Sequence, residues 1–342
     1  MPMSQPMSQK EKLSKYPRLV SDIGGTNARF AIEETPMQYN HIMVLNTKDH
    51  ETLSSVIKYY LKLVGHQDIK YGVLSVPSPI VDDTLFMVNS PWHLTSIKKT
   101  REELSFDTLL FLNDFHSLVL SIPHLDRVQL VQYGGIVDNR HLVYPVSLIG
   151  PGTGLGMATL IKHPKDSQYL AVTAEGGRSS FAAVTEEEFE IWKFIHKRFH
   201  HVSIERVISG SGLQVLYEAL CSIRSQPIKT LPTPEEITHK ALKENDFLCI
   251  QVLEHFCRIL GTISSNQVCM TNAFGGVYIG GGIIPKILEF FLKSDFRCRF
   301  EDKGRFRTYI AKIPVFIIMQ DYPAFLGASY ALETYLTKGF VP

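Results

Sequence analysis

No two cysteines in this chain have C-x-x-C spacing, and the five present (Cys221, Cys249, Cys257, Cys269 and Cys298) are odd in number. A disulfide framework and a zinc site are therefore not expected; free thiols in a reducing cytosol are. An excess of either charge is also missing. Lys and Arg total 35 against 34 Asp and Glu, for a formal net charge of +1. Nucleic acids and membrane surfaces demand concentrated positive charge, so neither is an expected partner. No uninterrupted apolar run of spanning length stands out, and the stretch 274–291 is broken by glycines and Pro285. The P-loop pattern G-x-x-x-x-G-K-[ST] does not occur, and no G-x-G-x-x-G opens a helix after a first strand. P-loop and dinucleotide folds are unsupported on that ground, and the protein-kinase signatures are absent as well. The initial M-P-M-S-Q-P-M-S-Q-K lacks the apolar core of a secretory signal. Residues 1–16 read as a flexible tail, and the final G-F-V-P is no peroxisomal address.

What is present is enough for two domains, since 342 residues exceed the size at which one core usually splits. An apolar strand runs into a glycine turn over 18–27, and alternating residues 29–33 suggest its returning partner. A short strand fits 41–45. A helix fits 51–64, with Leu53, Val56, Ile57, Tyr60 and Leu63 on one face. Strands at 71–76 and 109–112, a helical stretch at 95–103 and a helix from about Asp114 complete this half. A second copy starts with strands at 128–133, 143–149, 156–162 and 169–173. Helices follow at 186–199, 212–222 and 247–268, then a strand at 277–279, a helix at 283–292, a strand at 315–318 and a closing helix at 322–336. Cys257 shares an apolar stripe with Leu253, Leu260 and Ile263 and reads as a small core residue. Interleaved strands and helices in two copies imply α/β sheets covered by helices.

Three glycine clusters follow apolar strands: D-I-G-G-T-N (22–27), G-P-G-T-G-L-G (150–156) and G-G-G (280–282). Any one of them is satisfied by a tight turn, for which glycine is the default residue. Glycine also lets backbone N–H groups approach an anion without a Cβ in the way. Two Gly-Thr turns in separate halves, with Thr26 and Thr153 as added donors, shift the balance toward a polyphosphate.

The residues at this point resemble the bacterial-type glucokinases, within the hexokinase, actin and heat-shock-chaperone ATPase superfamily. The likeness is carried by D-I-G-G-T-N-A-R-F (22–30), L-N-D-F (112–115), G-P-G-T-G-L-G and A-E-G-G-R-S-S-F-A (174–182). It continues in E-R-V-I-S-G-S-G-L (205–213), G-G-V-Y-I-G-G-G-I-I-P (275–285) and F-E-D-K-G-R-F (300–306), in family order over roughly 18–335. The resemblance implies a two-domain actin-like (ribonuclease H-like) ATPase fold with a duplicated strand-helix unit and an interdomain cleft. It puts a small domain at 17–122 with 327–342, and a large one at 123–326. It implies phosphorylation of glucose at the 6-hydroxyl, with ATP and Mg²⁺, in the cytoplasm. A homodimer is an expected state, since the family is often dimeric.

Phosphoryl transfer needs a positioner for the attacking hydroxyl, a metal and donors around the transferring group. Asp114 is the candidate base; as a bare sequence position it reads first as a helix cap, and the L-N-D-F match reverses that order. Asn113 and Asn89 are assigned to sugar hydroxyls, and Trp92 either to the same mouth or to core. Glu175 and Glu205 resemble the family's sugar-binding carboxylates, which suit vicinal hydroxyls; Glu205 also reads as a helix-start acid. Asp22 is assigned to Mg²⁺ through water, or else to stabilising its own turn. Nucleotide contacts are expected at Gly24, Gly25, Thr26, Asn27, Gly152, Thr153, Gly154, Gly281 and Gly282. The family's E-G-G-H is here E-G-G-R, which puts Arg178 in the sugar site. Arginine is longer, always charged and donor-only. It either donates to sugar, pairs with Glu175 at i,i+3, or swings out. Rival readings are a kinase for another hexose or amino-sugar, a non-catalytic sugar sensor, and a chaperone-like ATPase.

Overall fold

The computed structural model describes residues 15–78, 80–87, 92, 94–136, 143–165 and 168–342. The chain forms two compact units. The first comprises the residues up to Leu125 together with His163–Ala171 and Gln320–Pro342, and the second Asp126–Lys162 with Val172–Met319.

In the first unit, β1 (Arg18–Ile23), β2 (Asn27–Thr35) and β3 (Gln38–Asn46) form an antiparallel meander. Strands β4 (Tyr71–Val76), β5 (Ile80–Val81), β6 (Thr84–Phe86), β7 (Leu94–Ser96) and β8 (Thr108–Asn113) follow. The main sheet has the order β3-β2-β1-β4-β8, with β1, β4 and β8 mutually parallel. β1 and β4 are buried along nearly their whole length. That explains their continuous apolar runs, whereas the edge strand β3 alternates toward solvent. Strands β5, β6 and β7 make a separate small sheet that the sequence pattern did not reveal. Leu94–Ser96 is thus strand, and the expected helical stretch starts only at Ile97, capped by Ser96.

Helix Leu53–Val64 starts at a capping box of Thr52 and Ser55 and stops at Gly65, whose φ is 77°. Its buried face contains Leu53, Val56, Ile57, Tyr60 and Leu61. Leu63, expected on that face, is 52% exposed. The stripe runs on at i+4 from Ile57, and Leu63 falls on the other side. Helix Asp114–Ser121 packs on the C-terminal helix Pro323–Lys338. Gly327 allows this approach, because a Cβ there would run into the Ser117 carbonyl oxygen. Lys15 and Tyr16 are held here too. Lys15 Nζ donates to Leu336 O at 3.1 Å, and the Arg18 guanidinium lies 3.8 Å from the Tyr16 ring centroid. Arg18 is itself buried, 2.6 Å from Glu333.

The second unit contains β9 (Leu130–Gln132), β10 (Val146–Pro151), β11 (Leu155–Lys162), β13 (Val277–Ile279), β14 (Val315–Ile318) and, from Val172 on, β12 (Tyr169–Ala174). Its sheet order is β12-β11-β10-β13-β14-β9. β10 pairs antiparallel with β11 and parallel with β13, which pairs parallel with β14. Removing β9 leaves the strand order of the first sheet, with β10 standing where β1 stands and with the same directions for β11, β10, β13 and β14 as for β2, β1, β4 and β8. The duplication read from the sequence is therefore a duplication of topology. Helices Glu186–Arg198, Gly210–Ile223, Pro234–Lys243 and Phe247–Thr271 pack around one core. Pro234–Lys243 went unread because only Ile237 and Ala241 of it are buried, too short a stripe to register. The expected helix 283–292 is interrupted at Ile287, whose backbone leaves the helical region. Helix Phe247–Thr271 is long and apolar enough to cross a membrane by length and composition, contrary to the sequence expectation. In this fold it is a core element, with Leu253, Phe256, Cys257, Leu260 and Gly261 fully covered.

Candidate active site

The first hairpin of each duplicated sheet, β1–β2 and β10–β11, carries the same device, a turn that holds glycine and an exposed threonine. In the first, Gly24 N–H donates to Asn27 O at 2.8 Å and closes the turn. Thr47 stitches it from behind: its N–H reaches Thr26 O at 2.9 Å, and its hydroxyl reaches Gly25 O at 2.8 Å. A trans peptide points its N–H opposite to its carbonyl. The Thr26 N–H therefore faces away from Thr47, beside the exposed Thr26 side chain. In the second hairpin, Gly152 N–H donates to Gly154 O at 2.8 Å, and Gly152 O accepts from Gly210 N–H at 2.8 Å. Thr153 is exposed at its tip.

The third glycine cluster leans on the second. Gly280 N–H donates to Ile149 O at 2.9 Å. Gly281 has φ 81°, and a Cβ on it would strike the Pro151 carbonyl oxygen. Close packing thus accounts for Gly281. It does not account for Gly152 or Gly282, since a Cβ on either would meet nothing within 4 Å. Those two glycines border open space beside backbone N–H groups, which is what a nucleotide needs.

Asp22 ends β1 next to the first turn. Arg29 Nη1 donates to its Oδ2 at 3.0 Å, while Oδ1 accepts no hydrogen bond among the described residues. Burial pushes the Asp22 carboxyl above its ordinary range, and Arg29 opposes that shift. A half-buried carboxylate with one oxygen open fits a water-coordinated Mg²⁺, which is commonly held by one or two carboxylates plus substrate phosphates.

Asn113 and Asp114 sit where β8 becomes helix Asp114–Ser121. Asn113, not Asp114, is the cap: its Oδ1 accepts from Phe115 N–H at 3.0 Å and from His116 N–H at 3.3 Å. The cap orients the Asn113 amide NH₂ outward as a donor. Asp114 is the first helical residue, half-buried, with Oδ1 accepting from Phe115 N–H at 2.9 Å. The positive end of the helix favours a carboxylate there. His116, two residues on, is held neutral-leaning by burial, although its ring nitrogen lies 2.7 Å from Pro342 O.

Glu205 joins three of the expected segments of the second unit. Its Oε2 accepts from Leu155 N–H at 2.9 Å, just past the Gly152–Gly154 turn. Its Oε1 accepts from Arg178 Nη1 at 2.8 Å. A Cβ at Gly154 would sit only 2.6 Å from Oε2, so that glycine makes room for the carboxylate. Gly176 and Gly177 press against Met157 and the Leu155 carbonyl, which brings the E-G-G-R turn onto β11. Glu175 is exposed, and its carbonyl accepts from Arg178 N–H at 2.9 Å. The expected alternative of a Glu175–Arg178 ion pair is not realised. Arg178 turns to Glu205 instead, donating from Nη1 to Oε1.

Asn89 lies outside the described residues. Trp92 is buried in the first unit's core, and its indole N–H donates to His50 O at 2.9 Å. Thr47, Leu155 and the packing role of Gly176 and Gly177 were missed by sequence reading. The G-G pair was the one visible signal.

A duplicated sheet whose first hairpin bears a Gly-Thr turn in each copy, with an aspartate at a strand–helix junction, defines a sugar kinase of the actin-like ATPase class. The Glucokinase family model matches residues 19–335. A glucokinase of Neisseria meningitidis is 41% identical over 330 residues, covering 96% of this chain and 98% of the relative. The crystal structure of a glucokinase from an Antarctic psychrotroph is 31% identical with a TM-score of 0.81, covering 93% of this chain and 99% of that one. A glucokinase of Balamuthia mandrillaris, solved with glucose, shares the fold at 17% identity and a TM-score of 0.73, over 94% and 98% of the two chains. The chain belongs to the glucokinase family.

Proposed function

We propose that this enzyme transfers the terminal phosphoryl group of ATP to the 6-hydroxyl of glucose, giving glucose 6-phosphate and ADP. The supporting observation is the repeated Gly-Thr hairpin, one heading each duplicated sheet, in a chain of this family. Thr26 and Thr153, with the neighbouring backbone N–H groups of Gly25, Asn27 and Gly154, are assigned to the phosphates, while Gly24, whose N–H is taken by Asn27 O, shapes the turn. The open faces of Gly152 and Gly282 are assigned to the rest of the nucleotide. Asp114 accepts the proton of the attacking hydroxyl as the oxygen–phosphorus bond forms. The Asn113 amide donates to a sugar oxygen, and Glu175 and Glu205 accept from sugar hydroxyls. Asn89 is assigned to the sugar on the resemblance alone. Asp22 would hold Mg²⁺ through water. When bound, that ion offsets phosphate charge.

The test is coupled ADP release with Mg-ATP against glucose, mannose, fructose and glucosamine. Glucose-dependent turnover is expected, and Asp114→Asn should lower kcat by about 10²–10⁴-fold with ATP affinity kept. Near-normal turnover in that variant removes Asp114 from the mechanism.

A second reading, another hexose or amino-sugar as acceptor, is favoured by Arg178. Its guanidinium occupies one oxygen of Glu205 and adds a donor-only group to the sugar side. Turnover confined to another sugar in the same assay selects it. We assign the enzyme to the cytoplasm on its five unbridged cysteines, and no nucleic-acid or membrane partner is proposed on a net charge of +1. A homodimer rests on family likeness alone.

A further inference from the structure

Three metal-ligating side chains converge in the first unit, at the opposite end of β2 from the Gly-Thr turn. Glu34 Oε1 lies 3.4 Å from His66 Nε2. The His41 and His66 ring centroids are 5.6 Å apart, and the ligand atoms of all three residues lie within 4.8 Å of one another. Each residue comes from a different place: Glu34 from β2, His41 from β3, and His66 from the segment after helix Leu53–Val64.

The β2–β3 ladder is irregular at both of its contributions. Phe30 pairs with Met43 and Ile32 with Asn40, so Ala31 alone faces His41 and Ile42. Glu33 pairs with Tyr39 and Thr35 with Gln38, which leaves Glu34 as an extra residue. Bulges re-aim side chains out of the regular alternation, and here both re-aimed residues are members of the cluster. His41 also has φ 54°, uncommon for a residue with a Cβ. The Tyr60 hydroxyl donates to His41 O at 2.9 Å and ties this backbone to the helix. His66 is set by the helix stop, with Gly65 at φ 77° and His66 N–H donating to Leu61 O at 3.0 Å. A lone Glu34–His66 ion pair would require neither the bulge at Ala31 nor the left-handed His41.

We infer that Glu34, His41 and His66 form a binding site for a divalent cation of the zinc class, which clips the β2–β3 hairpin to the end of helix Leu53–Val64. Two imidazoles and a carboxylate are a zinc donor set, whereas Mg²⁺ and Ca²⁺ prefer oxygen alone. Ligand atoms around tetrahedral zinc stand about 3.3 Å apart. The Glu34–His66 separation already matches, and side-chain rotation of His41 brings in the third ligand. Three protein ligands leave water to complete the coordination. His66 also lines a groove of about 260 Å³ with Tyr16, Asp68 and Tyr71, which gives an ion its approach. The absence of paired cysteines, which argued against zinc in the sequence, has no bearing on a cysteine-free set.

The test is calorimetric titration of zinc chloride into nucleotide-free, full-length protein carrying Cys269→Ser and Cys298→Ser, which removes the two exposed thiols. One equivalent is expected to bind and to raise the unfolding temperature. His41→Ala with His66→Ala should weaken binding more than tenfold and abolish that rise, and Glu34→Gln should weaken binding with the metal-free unfolding temperature kept. Hexose-kinase turnover should be unchanged in all variants. Equal stoichiometry and affinity in the double-histidine variant, or no binding at millimolar zinc, overturns the proposal.

Discussion

Arg178 reaches Glu205 across a turn that only two adjacent glycines permit. The pair has unequal exposure, 67% for the arginine side chain and 24% for the glutamate. Its electrostatic worth is therefore modest, and its consequence is geometric. One carboxylate oxygen is engaged by Leu155 N–H and the other by Arg178, yet each keeps a second lone pair for a sugar hydroxyl. Arg178→His should retain turnover while changing KM for sugar or the order of preference among epimers. Identical KM values across the hexose panel would show that Arg178 does not act on the sugar side. The glycines at 281 and 282 separate folding from binding in the same way. Gly281→Ala must strain a positive φ and strike backbone, so it should destabilise by more than about 1 kcal/mol. Gly282→Ala has φ −91° and open space, so its unfolding midpoint should hold or rise while ATP affinity falls. Unchanged ATP affinity in the second variant would count against a nucleotide at that face.

At the level of elements, the second unit is tied together by an ion pair no periodicity could disclose. Glu188, in the first turn of helix Glu186–Arg198, is 1% exposed. It takes Arg299 Nη1 at 2.6 Å and Nη2 at 3.2 Å, and also the Val184 N–H at 2.8 Å. Arg299 Nη2 donates further to Thr262 Oγ1 at 2.9 Å. Removing one partner strands a buried charge. Arg299→Ala should therefore cost about 3–5 kcal/mol in denaturant unfolding, and a cost under 1 kcal/mol would mean water reaches Glu188. In the sequence this residue is one of three consecutive glutamates, indistinguishable from the exposed Glu186 and the half-buried Glu187. The glycine turns, by contrast, were readable as elements because strand, glycine and threonine recur at the head of each copy. What each glycine does was not, because a close contact with Pro151 and an open face look the same as letters.

For the whole molecule, acid sensitivity follows from buried imidazoles in both units. Burial lowers the pKa of His116, His124 and His255, against the raising effects of Pro342 O on His116 and of Glu187 on His255. Their unfolded value is about 6.5. Below that pH the unfolded chain binds more protons than the folded one, so stability is full above about pH 6.5 and is lost as pH falls toward the lowered folded values. Asp22, Glu33 and Glu254 work oppositely, since burial raises their carboxyls and their protonated forms favour the fold as pH falls. The urea midpoint should decline from pH 7 to pH 5, and His124→Phe should flatten the decline. A flat midpoint over that range would mean these rings stay hydrated.

The sequence by itself determined the α/β class, the duplication, the family and most element positions. Those depend on periodicity and on glycine turns, which are local and repeat along the chain. Only the tertiary structure decided that Arg178 chooses Glu205 over Glu175, and that Phe247–Thr271 is core. It alone brought Glu34, His41 and His66 together. Each of these depends on which surfaces a fold presses together, and hydrogen-bond partners or burial separated by tens of residues leave no mark in local spacing.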